Sequence, residues 1–258
     1  MSPMFPSLFD PDFKRQWAKL RLDELAAEAA IIQDSNKPKL TTEDDLENSR
    51  YVFRFQGMHD ARVFQAALRA GDFIYNLRAA LDHLAWQLAL LSGGWPSIEV
   101  SFPICEKDNA DARRFIKRST VGIPDPAVAV IESFQPYHAG NDFRSTHLWR
   151  LNKLWNIDKH RHLTPHGIVP EWQFKTNGVS VIEVRQIDDG VEYRVSLAEK
   201  EKIEFNPSCK VDFTISDSAE AIDIRIADLF EMYEFVASTI LPAFAGFFPQ
   251  KAVDSQGV

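Results

Sequence analysis

Residues 76–88 read NLRAALDHLAWQL. The leucines and alanines fall at helical spacing and predict a buried helix. Yet Asn76, Arg78, Asp82 and His83 lie within eight positions of that apolar frame. A buried polar group left unpaired costs about 1–3 kcal/mol, so a neighbour or a ligand must satisfy each of them. The helix extends upstream to about Ala61 and stops at Ser92-Gly93-Gly94-Trp95-Pro96, a strong terminator. Gly71, inside it, marks a bend or a close helix contact.

On this helix Asp72, Asn76, Ala79 and His83 stand at i, i+4, i+7 and i+11, nearly one line along one face. Phe73, Leu77, Leu81, Leu84 and Leu88 form a separate apolar stripe. Arg78 and Asp82, at i and i+4, are expected to make a surface ion pair worth only a few tenths of a kcal/mol. A second polar cluster closes the helix predicted over 143–162. Asn152, Asn156 and His160 fall at i, i+4 and i+8, Asp158 and His162 make an i, i+4 pair, and Arg161 adds to a basic helix end. The two clusters are expected to meet in a polar seam, with Asn76 and His83 within reach of the 152–162 helix end.

Outward from these helices, residues 12–34 predict a helix rich in Ala, Leu and Glu, and the polar run at 35–45 breaks the pattern. RYVFRFQ, 50–56, alternates like a strand, and shorter helices are expected near 108–118 and 125–134. Between 167 and 215 the texture turns to β-branched runs with a hairpin turn at Asp188-Asp189-Gly190, and helix returns over 218–246. The fold class expected is α+β, mainly α. A helical bundle carries a small antiparallel sheet before its last long helix, and the strand at 50–56 is a candidate to join that sheet. As a domain plan this reads as one domain over 1–258: a helical core of about 12–163 and 218–247, a β insertion of about 165–216, and a disordered tail of about 249–258. The sheet, whose charged residues alternate with apolar ones, is not expected to host chemistry.

The chain has 258 residues, 45% of them hydrophobic and 26% charged, ordinary globular proportions that can bury a sizeable core. A formal net charge of −8 argues against a surface that grips nucleic acid as a whole, while leaving room for a local basic groove. Cys105 and Cys209 match no metal-ligand spacing, and no metal or other cofactor is expected: HExxH, the glutamate-plus-ExxH bundle pattern, GxGxxG and the P-loop are all absent. The first residues show no basic segment leading into an apolar one, and no run approaches the roughly 18 apolar residues of a membrane span, so a cytoplasmic protein without membrane contact is expected.

GDFIYNLRAALDHLAWQL together with LNKLWNIDKHRHL resembles a family of uncharacterised bacterial proteins. Its members carry a GD-x-x-x-NLR-x-ALDHL-x-W helix, an FPI segment, a QPY segment and an N-x-DKHR helix end. Here these are Gly71 to Trp86, Phe102-Pro103-Ile104, Gln135-Pro136-Tyr137 and Asn156 to Arg161. The helix also resembles the Arg-x(4–6)-His signature of HEPN domains, helical nucleotide-binding modules that include metal-independent ribonucleases. The same spacing recurs at Arg54…His59 and Arg161…His166, but only Arg78…His83 lies on an uninterrupted predicted helix.

What the HEPN resemblance implies is a bacterial stress- or phage-defence protein, with RNA or a nucleotide as partner and a groove between two copies of the chain. Arg78 would stabilise phosphorane charge, His83 would move the proton and Asn76 would orient, supported by Asp72, Asp82, Asn156, Asp158, His160 and Arg161. Such a protein would be an endoribonuclease needing no metal. The residues themselves leave a second reading open, a non-catalytic structural or interaction protein whose Asn/Asp/His seam only pins the bundle.

Overall fold

The computed structural model describes residues 6–35, 39–56, 61–160, 165–171, 174–175, 179–187, 190–205, 210–215 and 224–249. Arg161, His162, Cys209, the turn residues Asp188 and Asp189, the expected helix start at 218–223 and the tail 250–258 lie outside them. In chain order the elements are α1 (Phe9–Ser35), β1 (Lys39–Asp45), β2 (Arg50–Gln56), α2 (Ala61–Leu90), α3 (Ala110–Ser119), α4 (Asp125–Ser133) and α5 (His147–His160). There follow β3 (Pro165–Glu171), β4 (Phe174–Lys175), β5 (Glu183–Ile187), β6 (Gly190–Ser196), β7 (Glu204–Phe205), β8 (Lys210–Ile215) and α6 (Ile226–Phe235). A π-helical turn, Val236–Ile240, and the short α7 (Leu241–Ala243) continue α6. The protein is mainly α with a small antiparallel sheet, as its periodicity predicts.

The chain divides into two compact units, Met1–Leu22 with Ala70–His162 and Ala227–Val258, and Asp23–Arg69 with Leu163–Ile226. The second unit therefore holds not only the expected β insertion but also the end of α1, the β1–β2 pair and the start of α2.

In the first unit the apolar stripe of α2 is fully withdrawn from water: Phe73, Leu77, Leu81, Leu84 and Leu88 are all buried. Also buried in this unit are Ala18 and Leu22 of α1, Ile131 of α4, Leu148, Leu151 and Leu154 of α5, and Met232 and Val236 at the C-terminal end. Each such side chain contributes about 1.5–3 kcal/mol of burial free energy, which is why this stripe sets the packing. Helix α2 ends where its sequence says, with Gly93 at φ +78° donating to the Leu90 carbonyl at 3.0 Å. Asn109 caps α3, its side-chain oxygen accepting from the Ala112 amide at 2.8 Å.

In the second unit the four-stranded sheet runs β1-β2-β6-β5, antiparallel throughout. Strand 50–56 does join it, with Arg54 opposite Glu192 and Phe53 opposite Tyr193. Period-two alternation sorts the faces. One presents Tyr51, Phe53 and Val195, packed with Val179 and Ile203 into a small core, with Phe53 stacked on Tyr193 at 5.2 Å. The other is an ionic ladder. Glu192 accepts from Arg54 Nε at 2.5 Å and Arg194 Nε at 2.8 Å, and those arginines reach on to Glu43 and Glu183.

In the sequence strand β1 shows only as a break in helical pattern. It is an edge strand of polar residues, KLTTEDD, so it has no buried face to leave a hydrophobic signature. Helix α6 begins at Ile226, after the non-helical Ile224 and Arg225.

Candidate functional site

The segment Ser101–Cys105 carries the FPI motif. It joins no strand or helix, yet Phe102, Pro103 and Cys105 are buried. A buried backbone outside regular structure must find its hydrogen bonds elsewhere. Here side chains of α2 and of a residue just past α4 supply them. Asp82 Oδ1 accepts from the Phe102 amide at 3.0 Å, and Arg78 Nη2 donates to the Phe102 carbonyl at 2.8 Å. Arg78 Nη1 donates to the same Asp82 oxygen at 2.7 Å, closing a ring around the backbone of one residue, Phe102. Gln135, just past α4, repeats the device: its Oε1 accepts from the Cys105 amide at 2.8 Å, and its Nε2 donates to the carbonyls of Pro103 at 2.8 Å and Ile131 at 3.0 Å.

The separate motifs NLRxALDHL, FPI and QPY are thus one assembly, a clamp on an extended strap. Helix α5 joins it through Trp155, whose ring centre lies 5.4 Å from the Arg78 guanidinium carbon.

This corrects the expectation of a surface ion pair. Arg78 is 6% exposed, because the strap lies over the side of α2 that it occupies. Its two terminal nitrogens serve the fold, while its buried Nε has no hydrogen-bond partner among the described residues. Gln135 is a site residue that the QPY motif contains but does not mark. A glutamine satisfying a strap has no spacing signal, since its partners come from another part of the chain.

The line Asp72–Asn76–His83 turns toward α1. Buried Asn76 donates to the Asp72 carbonyl at 2.7 Å and accepts from Lys14 Nζ at a long 3.5 Å; Lys14 also stands 5.8 Å from the Tyr75 ring centre. Gln87, also unmarked by the sequence reading, fixes the α1 start by donating to Asp10 Oδ2 at 3.0 Å and accepting from the Ser7 amide at 2.9 Å. His83 is half-buried beside this junction and has no hydrogen-bond partner among the described residues. Burial, then the Lys14 charge, push its pKa below the usual 6.5, against the opposing pull of Asp10 and Asp82. Its imidazole is therefore neutral at pH 7.

Folded His83 binds a proton less readily than unfolded His83, so this residue lowers stability as pH falls below 6.5 and has no such effect above it. A ¹H–¹³C titration should place its midpoint below 6.5. Lys14→Met should raise that midpoint, and an unchanged midpoint would mean that Lys14 is not a neighbour that matters.

Helix α5 meets α2 through a different side from the one expected. Asn156 is exposed, with its amide donating to the Asn152 carbonyl at 2.9 Å, and so takes no part in a seam with Asn76. Asp158 does approach: a Cβ on Gly71 would lie 2.9 Å from its Oδ1. Gly71 thus marks a close helix contact. His160 ends α5. Gly71→Ala should cost about 1 kcal/mol of stability even though alanine gains about as much in helix propensity. In an Asp158→Ala background the same change should become stabilising. Equal effects in both backgrounds, by urea unfolding, would refute the contact.

Elsewhere in the first unit a surface groove of about 560 Å³ is lined by Asp12, Arg15, Tyr233, Glu234, Ser238 and Leu241 among others, next to the π-helical turn. Its polar groups satisfy one another, Arg15 donating to Asp12 at 2.8 Å and to the Tyr233 hydroxyl, and Ser238 to Glu234 at 3.1 Å. Burial pushes the Cys105 thiol up to about 11, which makes it inert as a nucleophile near neutrality. Among the described residues no cluster of three or more His, Cys, Asp or Glu side chains could hold a metal, and no helix is long and apolar enough to cross a membrane. Compared with known proteins, the chain matches no family model, no curated sequence and no solved structure.

Proposed function

We propose that this chain is a non-catalytic interaction protein in which the polar residues of α2 pin the fold. The observation that supports this reading most is the fate of Arg78. Its guanidinium is buried, holds the Phe102 carbonyl and Asp82, and stacks near Trp155, which leaves it no face for a phosphate. A catalytic arginine needs the opposite, a guanidinium that a substrate can reach. The test is an assay of RNA cleavage in EDTA beside a stability measurement. This reading expects no cleavage by the wild type and a large stability loss in Arg78→Ala. Metal-independent cleavage that disappears in a folded Arg78→Ala variant would overturn it.

A second reading is favoured by one observation, the environment of His83. A half-buried, neutral imidazole without a hydrogen-bond partner among the described residues, close to the Lys14 ammonium, is arranged like a general base beside a cation. In a HEPN-like ribonuclease His83 would take the proton of the RNA 2′-hydroxyl as that oxygen attacks the adjacent phosphorus and the P–O5′ bond breaks, leaving a 2′,3′-cyclic phosphate and a 5′-oxygen that takes a proton from water. Lys14, not Arg78, would then face the phosphate, with Asn76 orienting it through the 3.5 Å contact. His83→Ala and Lys14→Ala should both lose EDTA-resistant cleavage without a change in melting point. Equal cleavage by wild type and His83→Ala would end this reading.

A further inference from the structure

Helix α1 has two apolar faces. One is buried, through Ala18, Leu22, Leu25 and Ala29. The other faces solvent: Phe9, Phe13, Trp17 and Leu20 are 73%, 56%, 42% and 44% exposed. At 100° per residue these four lie within about 80° of arc, opposite the buried face. Phe9 and Phe13 stack on each other with ring centres 6.3 Å apart, so the patch is continuous. An amphipathic surface helix carries a polar face there, and a helix apolar on both sides calls for a second partner.

We propose that this face is the interface of a homodimer in which α1 packs antiparallel against α1 of a second copy. Charge order argues for self-association and for its direction. On one flank of the stripe Asp10 precedes Arg21, and on the other Asp12 precedes Lys19, so both flanks run from acidic to basic. Antiparallel helices bring like flanks together in reverse order, which sets Asp10 toward the partner's Arg21 and Asp12 toward the partner's Lys19. A parallel pair would set like charges side by side. A two-fold axis between Lys14 and Arg15 also places Phe9 against the partner's Leu20, which makes the patch self-complementary as a closed dimer requires.

Size agrees. With roughly 150–250 Å² for a fully exposed aromatic side chain, the four residues offer on the order of 400 Å² of apolar surface. Two such patches with their charged flanks approach the ~1,200–2,000 Å² buried by stable interfaces. The inference goes beyond either reading of α2, and none of the four apolar side chains belongs to the clamp or to the His83 junction.

Light scattering on the full chain tests it. The wild type should give twice the 29.4 kDa chain mass at roughly 100 μM. Phe13→Glu and Trp17→Glu, both at exposed positions, should give the monomer mass with unchanged circular dichroism. Ile98→Glu, at an exposed isoleucine that is not part of the stripe, should remain dimeric. Asp10→Lys combined with Asp12→Lys should weaken the dimer at least tenfold. A monomeric wild type, or a dimer indifferent to Phe13→Glu and Trp17→Glu, would overturn the interface. A dimer unchanged or strengthened by the two aspartate reversals would overturn the antiparallel arrangement.

Discussion

Arg78→Ala is expected to lower the unfolding free energy by about 2–4 kcal/mol, a loss that a surface arginine would not produce. Three consequences add. The Phe102 carbonyl loses its donor, a cost of about 1–3 kcal/mol when buried. Asp82 loses its counterion, a smaller cost because its side chain is 31% exposed and water can take part of the charge. The vacated space beside Trp155 then removes packing contacts. Arg113→Ala is the control. Its pair with Asp108 has side chains 72% and 52% exposed, and such pairs are worth about 0–1 kcal/mol. Guanidinium unfolding should separate the two variants clearly, and equal midpoints would mean that Arg78 is not structural.

The second large effect is expected in the sheet. Glu192→Ala should cost about 2–3 kcal/mol. The carboxylate side chain is 6% exposed and sits between Arg54 and Arg194, so its removal leaves two partly buried cations facing each other. Their remaining contacts to Glu43 and Glu183 keep the loss below that of a fully buried pair.

The pH dependence has a definite sign. Burial pushes the Glu192 carboxyl up, but the hydrogen bonds and charges of Arg54 and Arg194 outweigh it and hold the pKa below the usual 4.5. Its stabilisation is therefore fully present above 4.5 and is lost as pH falls through the lower folded value. Glu192→Gln should lack this acid-sensitive component. A wild type and Glu192→Gln that lose stability in parallel below pH 4.5 would contradict the ladder.

How much of this was legible follows from what kind of signal each feature leaves. Helices α1, α2, α3 and α4 and strand β6 write themselves as periodicity and terminators, because each buries one face, while the edge strand β5 shows through its β-branched residues and the turn signal that follows it. Strand β1 does not, because its stability comes from main-chain pairing with β2 and its side chains stay in water. The polar residues of α2 were visible as an anomaly, but the helical wheel could not say what lies over each. Arg78 and His83 project about 140° apart, and the structure puts the first under the Ser101–Cys105 strap and the second beside Lys14 and Asp10 of α1. Asn156 looked like a partner for Asn76 because both follow i, i+4 ladders. Position along a ladder does not fix which side of α5 faces α2, and Trp155 and Asp158 take that side.

The claim that the α2 motif is a clamp is tested most directly by hydrogen exchange at the Phe102 and Cys105 amides. Both belong to a segment outside any helix or strand, where exchange is ordinarily fast. Held by Asp82 and Gln135, they should exchange at least about a thousandfold slower than in an unfolded chain, and the protection of Phe102 should collapse in Asp82→Ala while that of Cys105 should collapse in Gln135→Ala. Fast exchange of both amides in the wild type would contradict the clamp.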